Sequence, residues 1–261
     1  MSNVQKQDLV LFSDSSVISK ELCTGKSHDL ITITSSPATS SFWLLTTLVE
    51  TRLTGAPFSL NSTSVPVVTH KNMNLITIAS FIHNAQYYTD ALNRLKLGPE
   101  SYKYIDLLTN FVIKNIGKPR AKVLSELLEK FPQDSTSVVI LEQPEVLLTL
   151  LDGLTSDELH RKFIMPLMQR CGLLIISTNI NYSPNGQTKD AIEFSRFVAG
   201  CFYKSIAVLS LKPLDTGRAA DVTGSFRITR GGASNSHLSC HVVENEYLYL
   251  NQKENTKLFY R

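Results

Sequence analysis

The residues best equipped for chemistry begin with Gly25-Lys26-Ser27. A phosphate-binding loop needs G-x-x-x-x-G-K-[ST], set after a strand and opening a helix, so that backbone N–H groups and the helix N-terminus converge on the phosphates. Here Lys20 stands at the first glycine position, and residues 29–34, just beyond the triplet, read as a strand. The triplet is therefore expected to be a turn ahead of that strand. The segment in the right place, between the strand and the next helix, is Ser35-Ser36-Pro37-Ala38-Thr39-Ser40-Ser41. It has no glycine to let backbone wrap a phosphate and no lysine to hold one, and Pro37 lacks an N–H. The helix start behind it would attract an anion only weakly.

Glu142 ends the bare apolar run Val138-Val139-Ile140-Leu141, where an acid in a nucleotide hydrolase holds Mg²⁺ or orients water. Without a phosphate loop opposite, it has nothing obvious to act on. Glu142 and Glu145, flanking Pro144, also read as a turn and a helix start, and both readings stand. His237, Cys240 and His241 would divide between the two faces of a strand, and no second ligand pair stands at zinc spacing. A structural thiol and surface imidazoles are expected there. The chain contains no G-x-S-x-G and no H-E-x-x-H. No catalytic residue, cofactor or metal is assigned.

Basic residues gather in one further stretch, 212–232, with Arg218, Arg227 and Arg230. Arg227 and Thr229 alternate with Phe226 and Ile228, which gives a strand with one polar face. Three readings apply: contacts with RNA phosphates, an arginine reaching a neighbouring subunit, or a solvated strand edge protected by its charge.

These groups must be positioned by a regular scaffold. Strands are expected at 29–34, 75–81, 102–108, 138–141 and 173–178. Helices alternate with them. One carries Phe42, Leu45, Leu48 and Val49 and stops at Gly55; one carries Tyr88, Leu92 and Leu95 and ends at Gly98-Pro99. Another starts at Pro119. Thr155-Ser156-Asp157-Glu158 reads as a capping box for a helix bearing Leu159, Phe163, Leu167 and Cys171, kinked at Pro166 and stopped by Gly172. A last helix carries Phe194, Phe197, Val198, Cys201 and Phe202. From Ser205 the runs IAVLSL, GSFRIT, HLSCHVV, EYLYL and KLFYR read as antiparallel hairpins. Stretches 56–74 and 179–189 read as long loops. Alternating strands and helices imply a mostly parallel sheet covered on both faces. Terminal hairpins that extend such a sheet are a feature of RecA-type folds, so the expected class is a RecA-like α/β fold lacking the phosphate-loop motif.

Composition agrees. The chain has 261 residues, 43% of them hydrophobic, enough for one large core, and a single domain over 1–261 is expected. A formal net charge of +3 is too small to name nucleic acid as a partner by itself. The apolar run 9–12 is too short for a secretory signal, and no run approaches a membrane span. The four cysteines form no C-x-x-C, which suits reduced thiols. The sequons at Asn61 and Asn181 then read as chance matches, and the expected location is cytoplasmic, also nuclear.

The stretches QDLVLFSDSSV, SFIHNAQYYTDALNRLKL, ILEQPEVLLTLLDGLTSDEL, DVTGSFRITRGGA and HVVENEYLYLNQKENTKLFYR carry a resemblance that spans nearly the whole chain. It resembles the fungal form of the sixth-subunit family of the Elongator complex. The resemblance implies a RecA-like fold that has lost its nucleotide motifs. It implies a hexameric ring of two heterotrimers with the fourth and fifth subunits, which binds tRNA and docks on the catalytic subcomplex of the first to third. It also implies support for modification of the tRNA wobble uridine, with an older association with transcription elongation. The chain by itself would not be an enzyme, a contribution to ATP hydrolysis by the ring staying open. No family residue is carried over as catalytic. Two other readings remain: a nucleotide-binding ATPase with a degenerate site, and an unrelated α/β enzyme with a site built from loops.

Overall fold

Strand β1 (Asp29–Ser35) is buried along all but its first residue, because helices cover both of its faces. Leu30 faces one apolar layer, and Ile31 and Ile33 face the other. The structure, a computed structural model, describes residues 7–25, 27–60, 75–115, 117–180, 188–217, 219–234, 239–252 and 255–260. Among these, β1 joins β2 (Ile76–Ser80), β3 (Lys103–Asp106), β4 (Asp134–Glu142), β5 (Cys171–Asn179), β6 (Ala207–Lys212), β7 (Gly224–Arg230), β8 (Asn245–Asn251) and β9 (Thr256–Tyr260) in one sheet. The order is β3-β2-β4-β5-β1-β6-β7-β8-β9. β1 to β6 are parallel where they pair, and β7, β8 and β9 extend the sheet as antiparallel neighbours.

Helix α1 (Phe42–Thr54) and α2 (Ala85–Arg94) pack on the face of Ile31 and Ile33. α1 is buried nearly all round, and Gly55 closes it in the left-handed region at φ 86°. Thr46, Thr47 and Thr51 satisfy their buried hydroxyls by donating to carbonyls three or four residues back. The opposite face receives α4 (Arg120–Glu129), α6 (Ser156–Leu159), α7 (Met165–Met168) and α8 (Lys189–Lys204). The short α3 (Ile113–Asn115) and α5 (Val146–Leu150) complete the helices described.

Several boundaries depart from the sequence expectation. Cys171 and Gly172 open β5 instead of closing a helix. A Cβ on Gly172 would lie 2.4 Å from the Ser135 carbonyl oxygen, so glycine is needed for a close approach of two strands. The irregularity expected at Pro166 takes the form of a π turn just upstream, at His160–Ile164. Only half of the capping box forms. The Glu158 N–H donates to Thr155 Oγ1 at 3.2 Å, but the Glu158 carboxylate turns to Lys162 and Arg120. Pro119 is the residue before the first turn of α4, not within it. The run HLSCHVV is not a strand where described: Val242 makes one isolated bridge to Phe12. β7 is not an edge, since β6 and β8 flank it, so its charge does not protect an open edge.

Candidate functional site

In an open sheet of this kind, ligands bind beyond the carboxyl ends of the strands where the strand order turns back. Those ends are β1, β4 and β5, with Ser35 in register with Asn179 and Glu142 in register with Ser177. If the last two motif positions of a phosphate loop are set on the first turn of α1, Ser41 stands for the lysine and Phe42 for the Ser/Thr. Both are redirected inward. Ser41 Oγ lies 2.9 Å from Ser177 Oγ and is buried. The Phe42 ring packs among Tyr87, Tyr88 and His83, at centroid distances of 4.6, 5.1 and 5.8 Å.

The loop bonds partly to itself. The Ser36 N–H donates to Thr39 Oγ1 at 3.0 Å, the Thr39 N–H to the Ser36 carbonyl at 2.9 Å, and the Phe42 N–H to Ser40 Oγ at 3.2 Å. Pro37 has no N–H. Three of its amides are thus taken up within the loop, which also lacks the glycines and lysine of a phosphate cradle.

Glu142 does sit at the tip of β4, as the sequence implied, but it points into a closed polar nest. Its Oε2 accepts from Ser80 Oγ at 2.6 Å, from Tyr88 Oη at 2.9 Å and from the protonated Nδ1 of His83 at 2.9 Å. The His83 ring stacks on Tyr87 at 3.9 Å with planes 2° apart, and Tyr104 Oη donates to the His83 carbonyl at 2.7 Å. Burial, reinforced by the Glu142 carboxylate, holds the Tyr88 hydroxyl well above its ordinary pKa, so it remains a donor. Three donors on one carboxylate oxygen bind it as a structural hub. Glu145, one turn away, is different. Burial pushes its carboxyl up to about 7, although it accepts the Asn179 N–H at 3.0 Å. The structural reading of the Glu142–Glu145 pair holds. The signal for this nest was in FIHNAQYY, whose His83 and Tyr88 carried no chemical motif by spacing.

The Arg stretch lies elsewhere. Arg218 is outside the described residues, as are Lys26 and His237. Arg227 is exposed on β7, in register with Ser210 of β6 and Glu246 of β8, while Phe226 and Ile228 are buried as the alternation required. Arg230 ends β7, where its N–H donates to Glu244 Oε1 at 3.0 Å and its Nε to the Val242 carbonyl at 3.4 Å. Arg227 and Arg230 meet Lys212 at a cavity of about 490 Å³. Among the described residues no group of three or more His, Cys, Asp or Glu could hold a metal ion, and no helix is long and apolar enough to cross a membrane.

A mostly parallel sheet clad on both faces, with antiparallel strands extending one side, defines a RecA-like α/β protein. The chain is similar to the crystal structure of the flagellar accessory protein FlaH from Methanocaldococcus jannaschii. The TM-score is 0.50 at 12% identity, with 90% of this chain and 91% of that one covered. No family model matches the sequence. It is 45% identical to Elongator complex protein 6 of Saccharomyces cerevisiae over the full length of both chains. The chain belongs to the Elongator complex protein 6 family.

Proposed function

We propose that this chain, folded as one domain over 1–261, is a non-catalytic RecA-like subunit of an Elongator accessory ring. In this reading it joins the fourth and fifth Elongator subunits in a ring of two heterotrimers. The ring docks on the catalytic subcomplex of the first to third subunits and holds tRNA for modification of its wobble uridine, U34. The chain needs no cofactor of its own and works in the cytoplasm, also in the nucleus. The observation that carries the reading is the full-length identity to yeast Elongator complex protein 6.

The geometry supports it. The loop where nucleotide phosphates would lie has no glycine or lysine and ties Ser36 to Thr39, and Glu142 is held by three donors of its own chain. Large apolar side chains stand exposed at Tyr203 (78%), Tyr260 (60%) and Ile192 (49%), as a subunit with neighbours requires. Arg218, Arg227 and Arg230 are the proposed contacts to RNA or to a neighbouring subunit. Native mass spectrometry of this chain co-expressed with its two partner subunits tests the reading. A three-component hexamer is expected, and a chain that stays monomeric beside its partners defeats the proposal.

A further inference from the structure

The cavity at Lys212, Arg227 and Arg230 borders the start of the phosphate-loop counterpart, with Ser35 and Ser36 in its lining, but lies across the sheet from α1. Along β1 the side chains alternate, so Thr34 faces away from α1, and its hydroxyl donates to Ser210 Oγ at 3.0 Å. Ser210, Lys212, Arg227 and Thr229 share that face by the register of β6 and β7. The cavity therefore opens on the α8 side of the sheet, against Ala199, Phe202 and Tyr203 of that helix.

Its walls are built, not incidental. Gly231 and Gly232 fold back on α8, donating N–H groups to the Ile206 carbonyl at 2.9 Å and the Phe202 carbonyl at 3.0 Å. A Cβ on Gly231 would lie 2.0 Å from the Ser205 carbonyl oxygen, and one on Gly232 would lie 2.6 Å from that of Tyr203. Only glycine permits this closure at both positions. At about 490 Å³ the cavity falls in the range of small-molecule sites, roughly 300–1,000 Å³.

Its chemistry is divided. Phe202 and Val208 give an apolar floor, and the Tyr203 ring stands at the rim, 78% exposed. Toward the carboxyl end of β6 stand Lys212 and Arg227, while Arg230 pairs with Ala207 nearer Tyr203, and no carboxylate is among the described residues of the lining. Among the described residues the Arg227 side chain has no hydrogen-bond or ion-pair partner, and Glu246 is its neighbour across the β7–β8 register. A flat base beside an anionic phosphate matches this division: stacking on Tyr203, phosphate on Lys212 and the planar Arg227 fork.

We infer that this cavity binds one nucleoside monophosphate unit, either free or as an unpaired nucleotide of an RNA strand. The RNA source rests on the proposed tRNA-binding function; the free source does not. The test is calorimetric titration of the full chain at low salt with UMP, uridine, inorganic phosphate and a five-nucleotide oligouridylate, repeated on Arg227→Ala and Tyr203→Ala. Both side chains are exposed, and matching thermal melts verify that the variants fold. The expected result is binding of UMP, of the oligonucleotide or of both, at least tenfold tighter than uridine or phosphate, and weakened at least tenfold by each substitution. Binding of the oligonucleotide alone assigns the RNA source, and binding of UMP alone the free one. Absence of binding by both, or binding indifferent to Arg227→Ala, overturns the inference. Neither result touches ring assembly, which native mass spectrometry reads separately.

Discussion

The ring of Phe42 stands edge-on to the ring of Tyr88, centroids 5.1 Å apart and planes at 69°, and the Tyr88 hydroxyl donates to Glu142 at 2.9 Å. One contact thus ties the first turn of α1, through α2, to the tip of β4. In a nucleotide hydrolase these two elements face each other across phosphate and metal; here side chains fill the space. Tyr88→Phe keeps the packing and removes one of three donors from a buried carboxylate. The expected loss is about 2 kcal/mol by urea unfolding, in the range of a hydrogen bond to a charged group. In a double-mutant cycle with Glu142→Gln the two effects are expected to be less than additive. Full additivity would show that the hydroxyl and the carboxylate do not interact.

Restoring motif residues should not restore nucleotide binding. Ser41→Lys with Phe42→Thr supplies the lysine and the hydroxyl, yet the loop keeps Pro37 and its internal Ser36–Thr39 bonds. Calorimetric titration with Mg-ATP on an Arg227→Ala background, which removes the phosphate contact of the Lys212–Arg227 cavity, is expected to show no heat with or without the double substitution. The variant should also lose about 2 kcal/mol of stability as the Phe42 aromatic contacts disappear. Micromolar binding that survives Arg227→Ala would return the degenerate-ATPase reading to first place.

For the ring, Arg218→Ala combined with Arg227→Ala is expected to weaken tRNA binding in a filter assay while leaving assembly intact. The loss should shrink as salt rises, because phosphate contacts act through counterion release. Unchanged affinity at low salt removes these arginines from RNA contact, and a broken ring assigns them to the subunit interface.

Much of the scaffold was legible because its strands are bare apolar runs and its helices keep helical spacing. Val138 to Leu141 and Leu173 to Ile176 read as strands covered on both faces, and they are. The SSPATSS loop was legible as a phosphate loop without its means. The filled nest was not. His83, Tyr88 and Tyr104 come from three elements, and they converge on Glu142 only because β2 lies between β3 and β4. The Lys212–Arg227 juxtaposition is set by antiparallel register, which spacing along the chain cannot give. Cys171 was misplaced because its spacing continues the Leu159–Phe163–Leu167 pattern, while the chain has already turned into β5.

Glu145 gives the fold a pH dependence of definite sign. Its carboxyl is pushed from an ordinary 4.5 up to about 7, chiefly by burial. Below about pH 4.5 folded and unfolded chains both hold the proton. Between 4.5 and 7 the unfolded chain releases it first and the folded chain binds more protons, so stability falls as pH rises through this window. The gap corresponds to roughly 3 kcal/mol as an upper bound. In Glu145→Gln the amide oxygen still accepts the Asn179 N–H. The amide nitrogen meets an acceptor in Thr178 Oγ1, the hydroxyl that faces the Glu145 carboxyl in the wild type. The variant is expected to be more stable than the wild type at pH 8 by about 1–3 kcal/mol, and to match it near pH 4.5. Equal stability of the two proteins at pH 8 would show that the carboxyl is solvated.

Gly172 sits where β4 loses register with β5, between Asp134 and Val138. The irregularity brings the Ser135 carbonyl oxygen to 2.4 Å from any Cβ at Gly172, and the Leu22 carbonyl lies at 2.8 Å on the N-terminal segment. Both are backbone atoms, so neither can rotate away as a side chain would. Gly172→Ala must therefore shift the start of β5, loosen the bulged end of β4, or push Leu22 out of its fully buried place. Each route disturbs the same apolar layer, and the expected cost is about 2–3 kcal/mol. Urea unfolding reads the loss, and hydrogen exchange should place the added opening at the amides of Asp134, Leu173 and Leu22. A variant within about 0.5 kcal/mol of the wild type, the span of an ordinary surface change, would mean that the close approach is absent from the folded protein.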